Sequence, residues 1–331
     1  MNIALHSNQF DNRGSTRVTY DYGLALRDIL GHNVTFVTSS MNANEGIEKI
    51  SKEFEVITYD SKVEVSLASV VKTDISRVVD DKKIDFLYMF KSGTIDHITP
   101  DNCKTGIHCV FNCSEPHGSV YAAISENLAK KYNINKFVPH IINKVAPNKD
   151  IKAALGIPKD ALVIGRHGGN DSFDLAFVHR AVETILKTRN DVYFLFLSTN
   201  AFIKHDRAMF FPWITNDVGI SNFINACDIM IHARHMGETF GLAVGEFSSH
   251  NKPVMTWSGK MPWSGETNLG YDTAHIDHLG DKAILYHDYN SLVNIMEGLD
   301  VQYLRSQNWD MFSEKFSANN VINQYKDVFL T

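Results

Sequence analysis

The feature that most restricts the fold is a set of short apolar runs with almost no polar interruption, of which Tyr193-Phe194-Leu195-Phe196-Leu197 is the clearest. A strand with one wet face alternates apolar and polar residues. A run without alternation suits a parallel strand covered by helices on both faces. Strands are expected at Asn2–His6, Asn33–Thr38, Ile84–Phe90, Ile107–Phe111, Lys136–His140, Ala161–Gly165, Val192–Ser198, Ile229–Ala233 and Pro253–Trp257. Helical patterns lie between them, the first from about Thr16 to Leu30. Strand–helix alternation along the whole chain points to an α/β architecture of doubly wound sheets.

A chain of 331 residues suits two such domains. The boundary is expected after Val138-Pro139-His140-Ile141-Ile142, because Asn143–Asp150 is polar, contains Pro147 and lacks periodicity. This gives an N-terminal Rossmann-like domain over 1–142 and a second over 143–302. A C-terminal helical segment, 303–331, is expected to cross back to the first. Two such halves are expected to face a central cleft at the carboxyl ends of their strands, where open α/β sheets bind ligands.

The formal net charge of −6 offers no basic field for nucleic acid or an anionic membrane. No apolar run reaches the roughly 18 residues of a membrane span. The start, Met1-Asn2-Ile3-Ala4-Leu5-His6, lacks the pattern of a signal peptide, so a cytoplasmic protein is expected. The four cysteines form no Cys-x-x-Cys pair. His108, Cys109, Cys113 and His117 are metal-capable types within ten positions. On a strand His108 and Cys109 point to opposite faces, so no metal site is expected.

Four segments carry candidate chemistry. In the first, the strand Ile229–Ala233 runs through a loop into a helix beginning near Phe240 or Gly241. Amides at such a helix start suit phosphate, and Gly241 permits close backbone approach. Glu238 stands at the mouth of the cleft, and Glu246, about two turns along the helix, suits the vicinal diol of a ribose. The same spacing equally fits a glutamate favoured by the helix dipole and a solvated helix glutamate. The second segment is Val163–Ser172, a strand ending in the glycine-rich loop His167-Gly168-Gly169. There Arg166 is a candidate partner for a diphosphate or, alternatively, the surface arginine of a plain turn. In the third, Gly14-Ser15-Thr16 opens a helix after the first strand, with Ser15 or Thr16 as its cap. It lacks the Gly-x-Gly-x-x-Gly spacing of a dinucleotide-binding dehydrogenase. The fourth comprises two strand ends, Lys91-Ser92-Gly93 and Asn112–Gly118. Lys91 and His117 are either ligand contacts or solvated loop residues, and Glu115 is a candidate contact for the sugar or the acceptor hydroxyl.

The Glu-x7-Glu spacing from Glu238 to Glu246, with Phe240-Gly241 between, resembles family 4 glycosyltransferases of the GT-B fold. The resemblance implies a retaining hexosyl- or pentosyltransferase. Its donor would be a nucleotide sugar, UDP-sugar above all, and it would need no metal and no further cofactor. It places Glu238 on the donor sugar, the Thr239-Phe240-Gly241-Leu242 backbone on sugar and diphosphate, and Glu246 on the ribose. Thr239 replaces the commoner glycine. The Arg166-His167-Gly168 loop resembles the family's donor loop, but Asp171 or Ser172 stands where a lysine is usual, and Lys91 is a candidate substitute. Gly14 and Ser15 match the first loop, which touches donor phosphate or acceptor. Val120–Ala129 resembles the helix start after the acceptor-domain strands, and Ala274–Asp277 occupies the region after the last donor-domain helix. A histidine such as His117 often serves the donor sugar. A glycan or glycolipid is the default acceptor; a hydroxymethylated base in viral DNA is an alternative. A sugar-nucleotide epimerase and a non-catalytic GT-B binding module are the competing functions.

Overall fold

The computed structural model describes residues 1–214, 216–260, 268 and 270–331. They form two compact units, Met1–Ile141 with Phe316–Thr331, and Ile142–Lys315.

The first unit holds strands β1 (Asn2–His6), β2 (Asn33–Ser39), β3 (Glu55–Tyr59), β4 (Phe86–Lys91), β5 (Lys104–Cys109) and β6 (Val120–Ala123), ordered β3-β2-β1-β4-β5-β6. The second holds β7 (Leu162–His167), β8 (Val192–Leu197), β9 (Ala208–Phe211), β10 (Ile229–His232), β11 (Gly237–Glu238), β12 (Val254–Trp257), β13 (Asp272–Thr273) and β14 (Ala283–Tyr286). Its main sheet runs β14-β12-β10-β7-β8-β9, while β11 and β13 form a separate short ribbon. The neighbours pair in parallel, as in β1 with β4 and β7 with β8. Each sheet has the doubly wound order. The chain steps outward twice from the first strand, then returns to build on its other side. The crevice at this reversal lies between β1 and β4 in one unit and between β7 and β10 in the other.

Burial follows the sequence pattern. Every residue of β4, β10 and β12 is buried, and Tyr193 is the one partly exposed residue of β8. Helices supply the cover at helical spacing. The Ala176–Thr188 helix buries Val178, Ala181, Val182, Ile185 and Leu186, the i, i+3, i+4, i+7, i+8 stripe of one face. The Gly14–Asp28 helix buries Val18, Tyr22, Ala25 and Leu26. The last helix, Ala318–Phe329, belongs to the first unit, where its Tyr325 ring lies 5.3 Å from Tyr22 and 5.4 Å from Tyr88.

Several expectations need correction. Lys136–His140 is not a strand: a single bridge joins Phe137 to Ala123. Pro139 has no N–H to continue the ladder, and its carbonyl instead accepts from Tyr22 Oη at 2.6 Å. The strand expected over Ile107–Phe111 ends at Cys109. Val120–Ala129 is not a helix start throughout: β6 occupies Val120–Ala123, and the helix Glu126–Lys131 follows, capped by Ser125, whose Oγ accepts from Leu128 N at 3.2 Å. Neither Ser15 nor Thr16 caps the first helix, which begins at Gly14 with extended Arg13 at its N-cap. Ala274–Asp277 is itself helical, within Ala274–Leu279, and β14 and the Tyr289–Gly298 helix come after it.

The second unit is clamped at Asp228, just before β10. Its carboxylate accepts from Val163 N at 2.9 Å and from Arg305 Nε at 2.7 Å and Nη2 at 3.1 Å, with Lys152 Nζ at 3.8 Å. Asp228→Ala removes a bidentate pair and leaves a buried β7 amide unmatched. The expected cost is about 2–3 kcal/mol, in the range for charge-assisted bonds. All four tryptophans of the chain, Trp213, Trp257, Trp263 and Trp309, fall within the second unit's span. The measurement is therefore the urea midpoint read by tryptophan fluorescence, which is expected to fall.

Candidate functional site

The reversal between β7 and β10 sets two histidines at the strand ends, His167 on β7 and His232 on β10. The strands pair with Ile229 opposite Ile164 and Met230 opposite Gly165, and each histidine lies two residues beyond that last pair. From β10 the chain passes through Ala233–Met236 to β11. Gly237 is left-handed (φ 67°), and a Cβ there would stand 2.1 Å from the Asp272 carbonyl of β13. Gly241 is also left-handed (φ 93°), and a Cβ there would approach His275 Cβ to 2.8 Å. Both positions require glycine.

Gly241 caps the Leu242–Ser249 helix, which starts one or two residues later than its sequence suggests. The first turn closes with Gly245 N donating to Gly241 O at 2.9 Å. The amides of Leu242, Ala243 and Val244 precede that bond and have no i−4 carbonyl within the helix. Phe240 anchors the turn from inside: its ring lies 5.1 Å from His278 and 6.2 Å, edge-on, from Phe312. The hydrophobic side chain thus fixes the backbone that carries the amides.

Each glutamate meets one of the two histidines. Glu246 is 5% exposed, which rules out a solvated helix residue, and its Oε2 stands 2.6 Å from His167 Nε2. Glu238 is half-buried between His232 Nε2, 3.3 Å from Oε1, and Arg234 Nη1, 2.7 Å from Oε2. Burial pushes its pKa up, but the bonds and charges of His232 and Arg234 outweigh that and hold it below the usual glutamate value. Glu238 is therefore ionised at neutral pH. Behind His232, Nδ1 lies 2.9 Å from Thr256 Oγ1, which lies 3.1 Å from His275 Nε2. Tyr286 Oη donates to the His232 carbonyl at 2.7 Å.

Arg166 is not a surface arginine. It is 3% exposed, with both terminal nitrogens engaged. Nη1 donates to Ser198 O at 2.9 Å and Thr199 Oγ1 at 2.5 Å; Nη2 donates to Gly169 O at 2.7 Å and Ser172 Oγ at 2.8 Å. Burial lowers its pKa to about 10, with Glu238 and Asp174 pulling the other way, so the charge persists at neutral pH. The guanidinium therefore braces the His167-Gly168-Gly169 loop from within. Asp171, where the lysine is absent, accepts from Asn200 Nδ2 at 2.9 Å. Asp174 ties the loop to the next segment by accepting from His235 N at 2.7 Å.

The structure thus gathers Arg166, His167, Gly168, Glu238, Thr239, Phe240, Gly241, Leu242 and Glu246 in the second unit. Gly14, Ser15, Lys91 and His117 belong to the first. Lys91, at the end of β4, is buried and forms an ion pair with Asp96, so it is not a solvated loop cation. Burial lowers its pKa, and Asp96 opposes the shift. His117 Nδ1 donates to Glu115 O at 2.8 Å, and Glu115 Oε2 accepts from Ile95 N at 2.7 Å. Ser15 lies in the first turn of its helix and offers its carbonyl to Thr19 Oγ1 at 2.9 Å. His108 is spent within the core, with Nδ1 2.6 Å from Tyr88 Oη and Nε2 2.9 Å from Val138 O. Sequence reasoning passed over His232, Arg234, Thr256 and His275. The first two stand in the Asp228–Glu246 block, six and four residues before Glu238, and that spacing was their only signal.

No protein-family model and no curated protein matches the sequence. Solved structures match throughout its length. The Anabaena HepE structure in complex with UDP and glucose aligns with a TM-score of 0.74 at 14% identity, over 99% of this chain and 99% of that one. A glycosyltransferase from Rickettsia africae gives 0.65 at 15%, over 99% and 94%. A Listeria monocytogenes protein described as a UDP-N-acetylglucosamine 2-epimerase gives 0.64 at 12%, over 99% and 96%. At such identities the likeness establishes architecture: two parallel sheets in doubly wound order, matched end to end, give this chain the GT-B fold.

Proposed function

We propose that the protein is a retaining glycosyltransferase that transfers a sugar from a nucleotide-sugar donor, UDP-linked in the first instance, to a hydroxyl acceptor on a glycan or glycolipid. The observation that carries this reading is the pair of ordered carboxylates around one helix start. Glu238 stands before Gly241 and Glu246 two turns beyond it, each against its own histidine. Amides at the start of the Leu242–Ser249 helix suit a diphosphate. Glu246, as an acceptor for two hydroxyls, suits the ribose, and Glu238 suits the donor sugar. The UDP and glucose in the HepE structure support a nucleotide sugar as the ligand class.

In this reading the diphosphate departs, and the acceptor oxygen bonds to the anomeric carbon on the same face. The acceptor's proton passes to a departing phosphate oxygen. The protein's task is to stabilise negative charge as it gathers on that phosphate. The helix-start amides and the buried Arg166 charge serve it. Arg234, 31% exposed beside Glu238, is the second cation that the resemblance looks for near Asp171. The reaction needs no metal and no cofactor beyond the donor itself.

A nucleotide-sugar panel followed by thermal shift is the first test; a ligand at 100 times its Kd stabilises by about 2.7 kcal/mol. Glu246→Ala is expected to weaken UDP binding by about tenfold or more, the equivalent of one charge-assisted bond. Titration calorimetry reads it, and unchanged affinity would remove Glu246 from the site. Arg166→Ala is expected to lower Tm as well as turnover, because four hydrogen bonds, two to the donor loop and two to Ser198 and Thr199, go with it. An epimerase, the reading favoured by the Listeria likeness, would convert the donor with no acceptor present. Product NMR decides between them, since retention requires the anomeric configuration of the donor to survive transfer.

A further inference from the structure

The proposed subsites have a direction along the sheet of the second unit. Glu238, read as the donor-sugar contact, meets His232 on β10, and Glu246, read as the ribose contact, meets His167 on β7. The sheet continues past β7 through β8 to β9, all parallel, so the carboxyl ends of these strands share one edge. Sugar to ribose is thus a step from β10 to β7. The base leaves the ribose on the side away from the diphosphate, so the same line carries it over the ends of β8 and β9. The register places that end: His167 pairs with Leu197, and Leu197 with Phe211, so the last residue of β9 stands level with the histidine that meets Glu246. Two strand spacings, about 9–10 Å, separate β7 from β9, a span that a ribose with its base covers.

Beyond Phe211 come Pro212 and Trp213, both exposed. Among the described residues of the second unit, the exposed large hydrophobic side chains are Trp213, Met236, Leu285 and Tyr303. Met236 follows β10, Leu285 lies in β14 and Tyr303 in the Val301–Ser306 helix. Trp213 alone of the four follows a carboxyl end on the ribose side of the β7–β10 reversal. Trp257 and Trp309 are built into the unit: Nε1 donates to His287 O at 3.0 Å in one and to Leu304 O at 2.8 Å in the other, and each ring meets a tyrosine. The described residues give Trp213, 41% exposed, no hydrogen bond and no ring partner. A single exposed apolar side chain is ordinary; this one stands in line with two ordered carboxylates.

We infer that Trp213 is the nucleobase contact of the donor site, its indole supplying the face on which the base stacks. The inference rests on the proposed roles of Glu238 and Glu246 and deepens them by assigning the third part of the nucleotide sugar. An indole suits the task because it is flat, polarisable and loses little conformational entropy on contact. Every base has a π-face, so Trp213 adds affinity without by itself choosing uracil. Its neighbourhood is fixed: Ser198 N donates to Phe211 O at 3.0 Å, and Pro212 restricts φ immediately before the indole. Ser198 O in turn accepts from Arg166 Nη1 at 2.9 Å, so the arginine that braces the glycine-rich loop also holds the strand end between ribose and base.

Two probes test the assignment: UDP, and ribose 5-diphosphate, which keeps the ribose and the diphosphate but has no base. UDP is expected to quench the tryptophan emission of the unaltered protein, and ribose 5-diphosphate is not. Trp213→Phe keeps a stacking face; it is expected to hold most of the UDP affinity and to lose the quench. By titration calorimetry, Trp213→Ala is expected to lose about tenfold or more in affinity for UDP, the size of one stacked base, and nothing for ribose 5-diphosphate. Unchanged UDP affinity in the alanine variant overturns the base contact. Equal losses for the two probes overturn it as well, because they report general damage. Glu246→Ala keeps the two readings apart. If it weakens both probes while Trp213→Ala weakens neither, the donor site stands and the base contact fails. If the unaltered protein binds neither probe, the proposed function fails and takes the base contact with it.

Discussion

The site depends on what happens where β7 and β10 meet. Two parallel strands, side by side, each end in a histidine two residues beyond their last paired position, and each imidazole faces a carboxylate of the turn and helix after β10. Carboxylates facing water point in many directions. Glu246 at 2.6 Å from His167 and Glu238 at 3.3 Å from His232 do not have that freedom. The sheet is the rigid body, buried along β10 at every residue, and it transmits its rigidity through two rings to the only two glutamates of the Ile229–Ser249 segment. Binding a polar ligand to groups already held in place avoids the entropy of ordering them afterwards.

Charge balance explains why so many ionisable groups tolerate the same region. Arg166 is buried and cationic, a situation that needs nearby negative charge. Glu238 and Asp174 raise its pKa against the effect of burial, while Arg234 lowers it. Asp174 is in turn tied to His235 N, so the glycine-rich loop, the β10 exit and the helix start share one electrostatic network. An arginine bound on four sides by Ser198, Thr199, Gly169 and Ser172 acts on a ligand through its field and through the loop it shapes, more than by reaching out to it. Arg234, partly exposed and with one nitrogen on Glu238, is placed to act directly.

The sheets were legible because parallel strands buried on both faces write themselves as near-continuous apolar runs, as β4, β8 and β10 do. Of the two six-stranded sheets, β3, β6, β9 and β14 were missed. They lie at or next to sheet edges, where a half-exposed strand such as Glu55–Tyr59 has a mixed pattern that resembles a loop. Glu238, Gly241 and Glu246 were legible from their spacing. What they lean on was not. His232 sits in the apolar run Ile229–Ala233 and reads as strand filler, and Thr256 likewise in Val254–Trp257. His275 is more than thirty residues from Glu238 in sequence, and only the fold joins them. Lys91 shows the converse: its position at a strand end was read correctly, but Asp96, five residues on, had already claimed it.

Thr239 illustrates how this site differs from the pattern it resembles. The commoner residue there is glycine, whose value is to let a ligand approach the backbone. Here the position is buried at 8% exposure. The left-handed turn falls two residues on, at Gly241, where φ of 93° excludes most side chains and His275 Cβ fills the space a Cβ would need. The turn is therefore specified by one glycine and by packing against the Ala274–Leu279 helix. Loss of that packing would loosen the amides of Leu242–Val244 and the line of bonds behind Glu238 together, because both hang on the same contact.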